Sequence, residues 1–223
     1  MKKKILITGS FGYLGKNLSI YLKENGYDVF GIDLIDTKQQ NYQKVDITNK
    51  KDLEKVIKKI KPDVIIHLAA LHNLKLCQKE PEKSHALNAQ PVIDLVKIIK
   101  KNKLVNKLIF ISSDYVFKGD KGHYSEDDKP SPTTIYGKNK LEAEKEIEKK
   151  LTNYVIIRTA AIFGRGGNNF FNFIVDSLDN NQTIDVFNDT FFTPTYIDDL
   201  MRSIDIMVKK DLVGLFHVAG NSI

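Results

Sequence analysis

Tyr136 and Lys140 are four residues apart in the segment TIYGKNK, and Ser113 ends an apolar run upstream of them. On a helix, a spacing of four places a phenol and an ammonium on one face, one turn apart. A free phenol has a pKa near ~10, and a neighbouring ammonium lowers that pKa because it favours the charged phenolate. The spacing therefore predicts that Tyr136 is a proton donor with a lowered pKa, provided that other elements hold a ligand against the phenol. The alternative is a surface pair in which Lys140 faces Glu144.

The N-terminal segment has the pattern of a dinucleotide-binding βαβ unit. A buried strand (KKILITG) leads into the turn GSFGYLG, a helix ends at Gly26, and a second strand (YDVFGID) closes on Asp33. In such units the three glycines, here Gly9, Gly12 and Gly15, allow a tight turn, approach to a pyrophosphate, and close packing of helix on strand. The N–H groups of the helix N-terminus bind the anion, and the acidic residue binds the adenosine ribose hydroxyls. Because the Asp33 carboxylate would repel a 2′-phosphate, we expect NAD(H) to be favoured, while NADP(H) stays open.

Strand and helix patterns alternate along the rest of the chain. After Asp33 we predict a strand over 43–46, a helix capped by Asn49 and Asp52 and ended by Pro62, and the strand DVIIHLAA. A helix from Pro81 to Lys101, which Pro91 kinks or splits, then precedes the strand KLIFISS and a helix from the Tyr136 segment to about Lys150. The last predicted elements are the strand NYVIIRTAAIFG, the helix FFNFIVDSL, the strand QTIDVF, the helix TYIDDLMRSIDIMVKK and the strand GLFHVAG. This alternation predicts an α/β protein with a Rossmann-type, doubly wound parallel sheet. We assign a dinucleotide-binding domain to 1–163 and a small substrate-binding region to 164–223, interleaved with the end of the sheet.

Composition narrows the class of protein. The 34 basic and 28 acidic residues give a net charge of +6, and the lysines are spread along predicted helices. A nucleic-acid surface would concentrate Arg and aromatic residues in one stripe, so solvated helix faces are favoured and no nucleic-acid partner is expected. The single Cys77 excludes an internal disulfide and shows no metal-ligand spacing. The apolar run before Gly9 is too short for a signal peptide and no run reaches membrane-spanning length, so we expect a soluble, cytoplasmic protein without a membrane partner.

Reduction of a ketone by a nicotinamide cofactor would use all three chemical side chains. The alkoxide that develops on the substrate must be protonated and stabilised. Tyr136 would donate the proton, Lys140 would lower the phenol pKa and hold the nicotinamide ribose hydroxyls, and Ser113 would orient the carbonyl oxygen. The glycine turn, the HLAA strand end, the serine-ended strand and the YxxxK helix together resemble the extended short-chain dehydrogenase/reductase family. More narrowly, SSDYVFKG, YGKNKLEAEK, IIRTAAIFG, GGNNFF and NDTFFTPTYIDDL resemble the dTDP-4-dehydrorhamnose reductases and related nucleotide-sugar 4-ketoreductases.

This resemblance covers essentially the whole chain and implies NAD(P)H-dependent reduction of the 4-keto group of a dTDP- or UDP-linked 6-deoxy sugar. It implies that Ser113, Tyr136 and Lys140 are catalytic. The residues that it places around the cofactor are Gly9, Phe11, Gly12, Tyr13, Leu14, Gly15, Asp33, Asp46, Ile47, Leu68, Ala69, Ala70, Tyr136 and Lys140. The residues expected on the sugar-nucleotide side are Asp114, Tyr115, Asn168, Asn169 and Phe170, with His72 added because it follows the cofactor edge. A homodimer is compatible with the resemblance. No metal is expected, because Lys16 and Asn17 stand where relatives often have a glutamate ligand.

The chain differs from these relatives on the substrate side. Ala161 stands where they usually have a bulky aromatic residue, and NLKLCQ replaces an acidic segment after the fourth strand. Relatives continue for several tens of residues past VAGN, so we expect a truncated or abbreviated substrate region. The phenylalanines of FFNF are expected in the core, and His67 and Asn88 are interpreted as structural.

Two alternatives stay open. An epimerase of the same family would keep its cofactor and need no net hydride, whereas a 4,6-dehydratase is disfavoured because Tyr115 follows Asp114 where an Asp-Glu pair is required. The alternative from another class is a non-catalytic, cofactor-binding regulatory subunit, since the beta subunit of methionine adenosyltransferase resembles the same group of reductases.

Overall fold

The computed structural model describes residues 2–167, 169–185, 192–210 and 212–221. The strands are β1 (Lys4–Thr8), β2 (Asp28–Asp33), β3 (Tyr42–Lys44), β4 (Val64–His67), β5 (Lys107–Ser113), β6 (Tyr154–Thr159), β7 (Ile162–Phe163), β8 (Thr195–Tyr196) and β9 (Gly214–His217). The helices are α1 (Tyr13–Glu24), α2 (Lys50–Ile60), α3 (Leu74–Lys79), α4 (Pro81–Asn88), α5 (Gln90–Asn102), α6 (Ile135–Lys150), α7 (Phe170–Asp179) and α8 (Ile197–Lys209), with a 3₁₀ turn at Asp114–Val116.

Among the described residues, seven strands form one parallel sheet in the order β3-β2-β1-β4-β5-β6-β9, and β7 pairs with β8 in a second, two-stranded sheet. The order reverses between β1 and β4, so the loops that follow these strands lead to opposite sides and leave a crevice at their carboxyl ends. All seven residues of β5 and all four of β4 are buried. Such unbroken burial is typical of a parallel sheet covered on both faces. The predicted doubly wound fold is confirmed.

Two apolar layers cover the sheet. One layer packs α2, α5 and α6 against it, with Leu53, Leu95 and Ile147 among its fully buried side chains. The other packs α1 and α8 against the opposite face, with Leu18 and Ile204 in its centre. In the part of the chain that the structure describes, no helix is both long and apolar enough to cross a membrane.

Local sequence signals fixed several boundaries as predicted. Pro91 splits the predicted long helix, because α4 ends at Asn88 and α5 begins at Gln90. The Asn49 side chain caps α2 by accepting the backbone N–H groups of Lys51 and Asp52. Proline and asparagine act through their own backbone neighbours, so these predictions needed no tertiary information.

Other predictions were wrong. The predicted strand NYVIIRTAAIFG is two strands in two sheets, because the chain leaves the large sheet after Thr159 and resumes as β7 beside β8. The predicted strand QTIDVF is irregular over 182–185, and its remaining residues lie outside the described ranges. The helix α3 was not predicted, and the third strand occupies Tyr42–Lys44 instead of 43–46.

Two phenylalanines of α7, Phe171 and Phe173, are also not in the core. Phe171 is 50% exposed and Phe173 is 55% exposed, while the Phe170 side chain lies outside what the structure describes. A strongly apolar helix was expected to bury its aromatic face, but among the described residues no element packs over these two rings closely enough to bury them. The proposed division at 163/164 stays a prediction.

Candidate active site

The glycine turn after β1 is closed by steric contacts that exclude side chains. A methyl group on Gly15 would come within 2.1 Å of the Gly9 carbonyl oxygen, and Gly9 itself has a φ of +70°. Within this described segment, Gly12 gives α1 no side-chain cap and the first turn carries no acidic residue. The N–H groups there are therefore available to an anion, as a dinucleotide pyrophosphate requires.

Asp33 lies at the edge of this turn. Its carboxylate accepts the N–H of Phe11 at 2.9 Å through Oδ2 and the N–H of Leu34 at 2.7 Å through Oδ1. Each oxygen retains a lone pair, so the carboxylate can still accept ribose hydroxyls. Asp46, two residues beyond β3, accepts the Thr48 hydroxyl and is exposed. The sequence-predicted Ile47 is buried in the core beside it.

The segment after β4 lies directly against the glycine turn. A methyl group on Gly9 would approach the Ala69 nitrogen to 2.8 Å. The Thr8 hydroxyl oxygen accepts the N–H groups of Leu68 and Ala69, each at 3.2 Å, and lies 2.9 Å from Nδ1 of the buried His67. Burial, followed by the charge of Lys140, lowers the pKa of His67 to about 3, so this ring is neutral. The interpretation of His67 as a structural strand-end residue fits these contacts.

Ser113, Tyr136 and Lys140 come together where β5 ends and α6 begins. The Ser113 hydroxyl donates to Asp114 at 2.8 Å and accepts the N–H of Tyr115, and it lies close enough to the Tyr136 phenol to influence its pKa. The Lys140 ammonium lies 5.7 Å from the centre of the Tyr136 ring and donates to the Ile111 carbonyl oxygen at 2.9 Å. The spacing prediction is thus matched by the geometry, and the surface-pair alternative fails because Lys140 is only 4% exposed.

The pKa of the Tyr136 phenol differs from the expectation, because it is raised and not lowered. Burial, then the charge of Asp114, raises the pKa of the Tyr136 phenol, while the nearby Ser113 hydroxyl acts in the opposite direction. Burial lowers the pKa of Lys140 to about 8. The Lys140 ammonium donates to a backbone carbonyl, and burial outweighs the lowering of the phenol pKa that was expected from its charge. A phenol with a raised pKa is protonated near neutrality, which is the form that a proton donor requires.

A glycine joins the catalytic helix to the 3₁₀ turn. A methyl group on Gly137 would come within 2.1 Å of the Tyr115 carbonyl oxygen, so the two segments touch through bare backbone. Thr134 caps α6 by accepting the Gly137 N–H at 3.0 Å. The Tyr115 ring meets the Tyr136 ring edge-on at 6.0 Å and is 41% exposed. This contact places Tyr115 at the mouth of the group, and its assignment to the sugar-nucleotide side stays a prediction.

The other predicted substrate residues are more scattered. His72 is exposed, and Asp114 is half-buried with its pKa raised by burial. The Asn169 amide caps α7 and donates to the carbonyl oxygens of Gly164 and Gly166, so its polar atoms already have backbone partners. Asn168 lies outside the described residues, and Phe170 begins α7.

Tyr13 links the glycine turn to the substrate side, a contact the sequence did not suggest. Its hydroxyl donates to the Arg165 carbonyl oxygen at 3.4 Å, and a methyl group on Gly167 would overlap its ring. The buried pair Glu144–Arg158 was also missed. Its signal was present, because a lone arginine in the apolar strand VIIRT requires a buried counter-charge.

Asn88 is a structural residue in this geometry. Its side chain pairs with both backbone groups of Leu71 and with the Ser84 hydroxyl, which Asn139 of α6 also contacts. Among the described residues, no group of three or more His, Cys, Asp or Glu side chains could hold a metal ion.

The fold is a parallel sheet with a glycine turn at its switch point, and the Ser113, Tyr136 and Lys140 group lies at the end of β5. These two features define the class of NAD(P)-binding oxidoreductases with a Rossmann fold. Comparison with known proteins narrows this class. The chain belongs to the family described as the RmlD substrate binding domain, whose model matches residues 2–223.

Relatives with established names support this membership. A dTDP-4-dehydrorhamnose reductase of Aggregatibacter actinomycetemcomitans is 31% identical over 225 residues, covering 97% of this chain and 73% of that protein. The methionine adenosyltransferase 2 subunit beta of Danio rerio is 29% identical, covering 96% of this chain and 68% of that protein. A crystal structure of dTDP-4-dehydrorhamnose reductase from Bacillus anthracis in complex with NADP superposes with a TM-score of 0.89 at 32% identity, covering 98% of this chain and 75% of that one.

Proposed function

We propose that this protein is an NAD(P)-dependent reductase of the keto group of a nucleotide-linked sugar, with Ser113, Tyr136 and Lys140 as its catalytic residues. The observation that carries the proposal is the grouping of Ser113 and Tyr136, with Lys140 beside them, at the carboxyl end of β5, on the same edge of the sheet as the glycine turn. The finer substrate is the 4-keto group of a dTDP- or UDP-linked 6-deoxy sugar, which the named reductases among the relatives favour.

Each catalytic side chain has a role that follows from its surroundings. When bound, the nicotinamide cofactor supplies the hydride for the carbonyl carbon. Tyr136 holds its proton because its pKa is raised, and donates it to the carbonyl oxygen as negative charge develops there. The Ser113 hydroxyl turns from Asp114 to donate to the same oxygen. The Lys140 ammonium, which has two further N–H donors beyond its bond to Ile111, holds the cofactor ribose.

The cofactor proposed is NAD(H). The residues present fit a dinucleotide, because the N-terminus of α1 offers free N–H groups and no side chain fills the glycine turn. The Asp33 carboxylate would lie against a 2′-phosphate and repel it. Asp46, Leu68, Ala69 and Ala70 complete the proposed cofactor surface.

On the substrate side we assign Asp114 and Tyr115 to the sugar, since they flank the Ser113–Tyr136 pair. His72, Asn168, Asn169 and Phe170 stay predictions for the sugar-nucleotide side. A homodimer is the proposed assembly, which light scattering of the purified protein would check.

The direct test is stopped-flow oxidation of NADH with dTDP- or UDP-4-keto-6-deoxyglucose. We expect turnover by the wild-type protein and a kcat about 10²–10⁴-fold lower in Tyr136→Phe, because the variant lacks the proton donor. NADH affinity should be unchanged in that variant. Tyr154→Phe is the matched control, because Tyr154 begins β6 at the opposite edge of the sheet and should keep full activity. Absence of turnover with either sugar, alongside tight NADH binding, would overturn the proposal.

One alternative keeps support from the comparisons. The relation to a methionine adenosyltransferase beta subunit favours a regulatory, cofactor-binding role as the second candidate. That role predicts NADH binding with no turnover of any keto sugar. An epimerase, by contrast, would interconvert sugars without net consumption of NADH and would retain its cofactor on purification.

A further inference from the structure

A buried ion pair lies directly behind the catalytic group. Arg158 Nη2 donates to Glu144 Oε2 at 2.7 Å, and Arg158 Nε donates to Glu144 Oε1 at 3.0 Å. Glu144 is 1% exposed and Arg158 is 5% exposed, so water screens neither charge. The Ser112 hydroxyl also donates to Glu144 Oε1.

The contacts of Glu144 join the three elements that form the site. Ser112 precedes Ser113 on β5, Arg158 lies on β6, and Glu144 follows Lys140 by one turn of α6. In β5–β6 pairing, Ser112 and Arg158 are register partners. The Glu144 carboxylate is therefore the point at which the catalytic helix is fastened to the strand that carries Ser113.

The same carboxylate neighbours a second buried cation. Lys140 has a single hydrogen bond among the described contacts, to the neutral carbonyl of Ile111, and its ammonium lies 4.7 Å from the centre of the Phe110 ring. Burial lowers the pKa of Lys140, and the charge of Glu144 raises it. A buried ammonium without a counter-charge would lose its proton, so the carboxylate decides whether Lys140 stays charged.

Other charged or titratable groups surround this cluster. They are Tyr136 and Glu148 on α6, His67 on β4, Asp114 and Tyr115 on the 3₁₀ turn, Cys77 on α3, and Glu126 with His217 beyond Arg158. His67 is neutral because its pKa is about 3, and Tyr136 is neutral because its pKa is raised.

We propose that Glu144 is a positioning residue that supplies the buried counter-charge for Lys140, and that Arg158 limits this effect by sharing the same carboxylate. Only the kinetic measurement that tests this proposal depends on the proposed reductase function. The charges make opposite predictions for the two partners. Glu144→Gln leaves two cations and no carboxylate between them, so Lys140 should lose its proton at lower pH. Arg158→Gln leaves the carboxylate to Lys140 alone, so Lys140 should keep its proton to higher pH.

The experiment is an NMR titration of selectively labelled lysine side chains in the full chain, with the Lys140 signal assigned by its loss in Lys140→Met. The wild-type ammonium should titrate near pH 8. We expect the midpoint to fall by about one unit or more in Glu144→Gln and to rise by a similar amount in Arg158→Gln. The alkaline fall in kcat/KM for keto-sugar reduction should move in the same two directions.

Glu142→Gln is the matched control, because Glu142 lies on the same helix two residues from Lys140 but is exposed to solvent. Its charge is screened, so the Lys140 midpoint should not move. A purely structural role would lower kcat in both buried variants without shifting the two midpoints in opposite directions, and that result would overturn the proposal.

Two further variants keep the test decisive if a single variant fails to fold. Glu144→Gln/Arg158→Gln removes both charges together and should bring the midpoint back towards the wild-type value. Glu144→Asp keeps the charge on a shorter side chain and should lower the midpoint only slightly; a midpoint as low as in an uncharged variant would contradict the counter-charge. If the midpoints shift as expected but no variant reduces a keto sugar, the proposed function fails and the electrostatic role stands.

Discussion

Asp33 is the side chain on which the proposed preference for NAD(H) depends. Both of its oxygens accept backbone N–H groups, from Phe11 in the glycine turn and from Leu34 after β2. These bonds fix the carboxylate beside the glycine turn, where the proposed cofactor would place its adenosine ribose. Two negative groups in contact repel even in partly solvated surroundings, so the carboxylate should disfavour a 2′-phosphate.

We therefore expect NADH to bind at least about tenfold more tightly than NADPH, and Asp33→Ala to remove most of that difference. Titration of cofactor fluorescence measures both affinities. Asp36→Ala is the control, because Asp36 is exposed three residues further on and should leave the ratio unchanged. Equal wild-type affinities for NADH and NADPH would refute the assignment; NADP is the cofactor in the Bacillus anthracis reductase structure.

At the scale of elements, α6 is the piece on which the site depends. Its first two turns carry Tyr136 and Lys140, its Gly137 touches the 3₁₀ turn, and its buried Glu144 reaches β5 and β6. Because these contacts hold α6 against the 3₁₀ turn, β5 and β6, a shift of the helix would move the Tyr136 phenol relative to Ser113. The small size of Gly137 is part of this arrangement, because any larger residue would push the 3₁₀ turn away.

Gly137→Ala should destabilise the protein by about 1–3 kcal/mol through overpacking and raise KM for the keto sugar, since Tyr115 would be displaced. Urea unfolding and steady-state kinetics measure the two effects. Ala143→Gly, at a fully buried position of the same helix, should lower stability by about 1 kcal/mol with no change in KM. A change in stability without a change in KM for Gly137→Ala would show that the 3₁₀ turn does not position the substrate.

For the whole molecule, stability resides in the two apolar layers that cover the sheet. Leu95 is fully buried in the layer formed by α2, α5 and α6. The apolar face of α7 lies outside both layers, with Phe173 and Leu178 more than half exposed. The helix α7 thus contributes little to the two layers, whereas α8 from the same C-terminal region lies within one of them.

Phe173→Ser should change the free energy of unfolding by no more than about 0.5 kcal/mol, because an exposed ring has little to lose. Leu95→Ala should cost about 2–5 kcal/mol. Urea midpoints of the two variants make the comparison. A loss of stability in Phe173→Ser as large as in Leu95→Ala would mean that α7 is covered in solution.

Local rules allowed the sequence alone to determine the fold class, the glycine turn with Asp33, the break at Pro91 and the spacing of Tyr136 and Lys140. Each depends on a residue and its near neighbours along the chain, or on periodic burial within one element. These parts of the candidate site were predictable because the carboxyl ends of parallel strands must meet at one edge of the sheet.

Only the tertiary structure decided the surroundings of those residues. The pairing of Glu144 with Arg158, the departure of the chain from β6 into β7, and the exposure of Phe171 and Phe173 all depend on which distant segments come into contact. The protonation of Tyr136 and Lys140 belongs to the same group. A pKa is set by burial and by charges that are close in space, and spacing along a helix reports neither quantity.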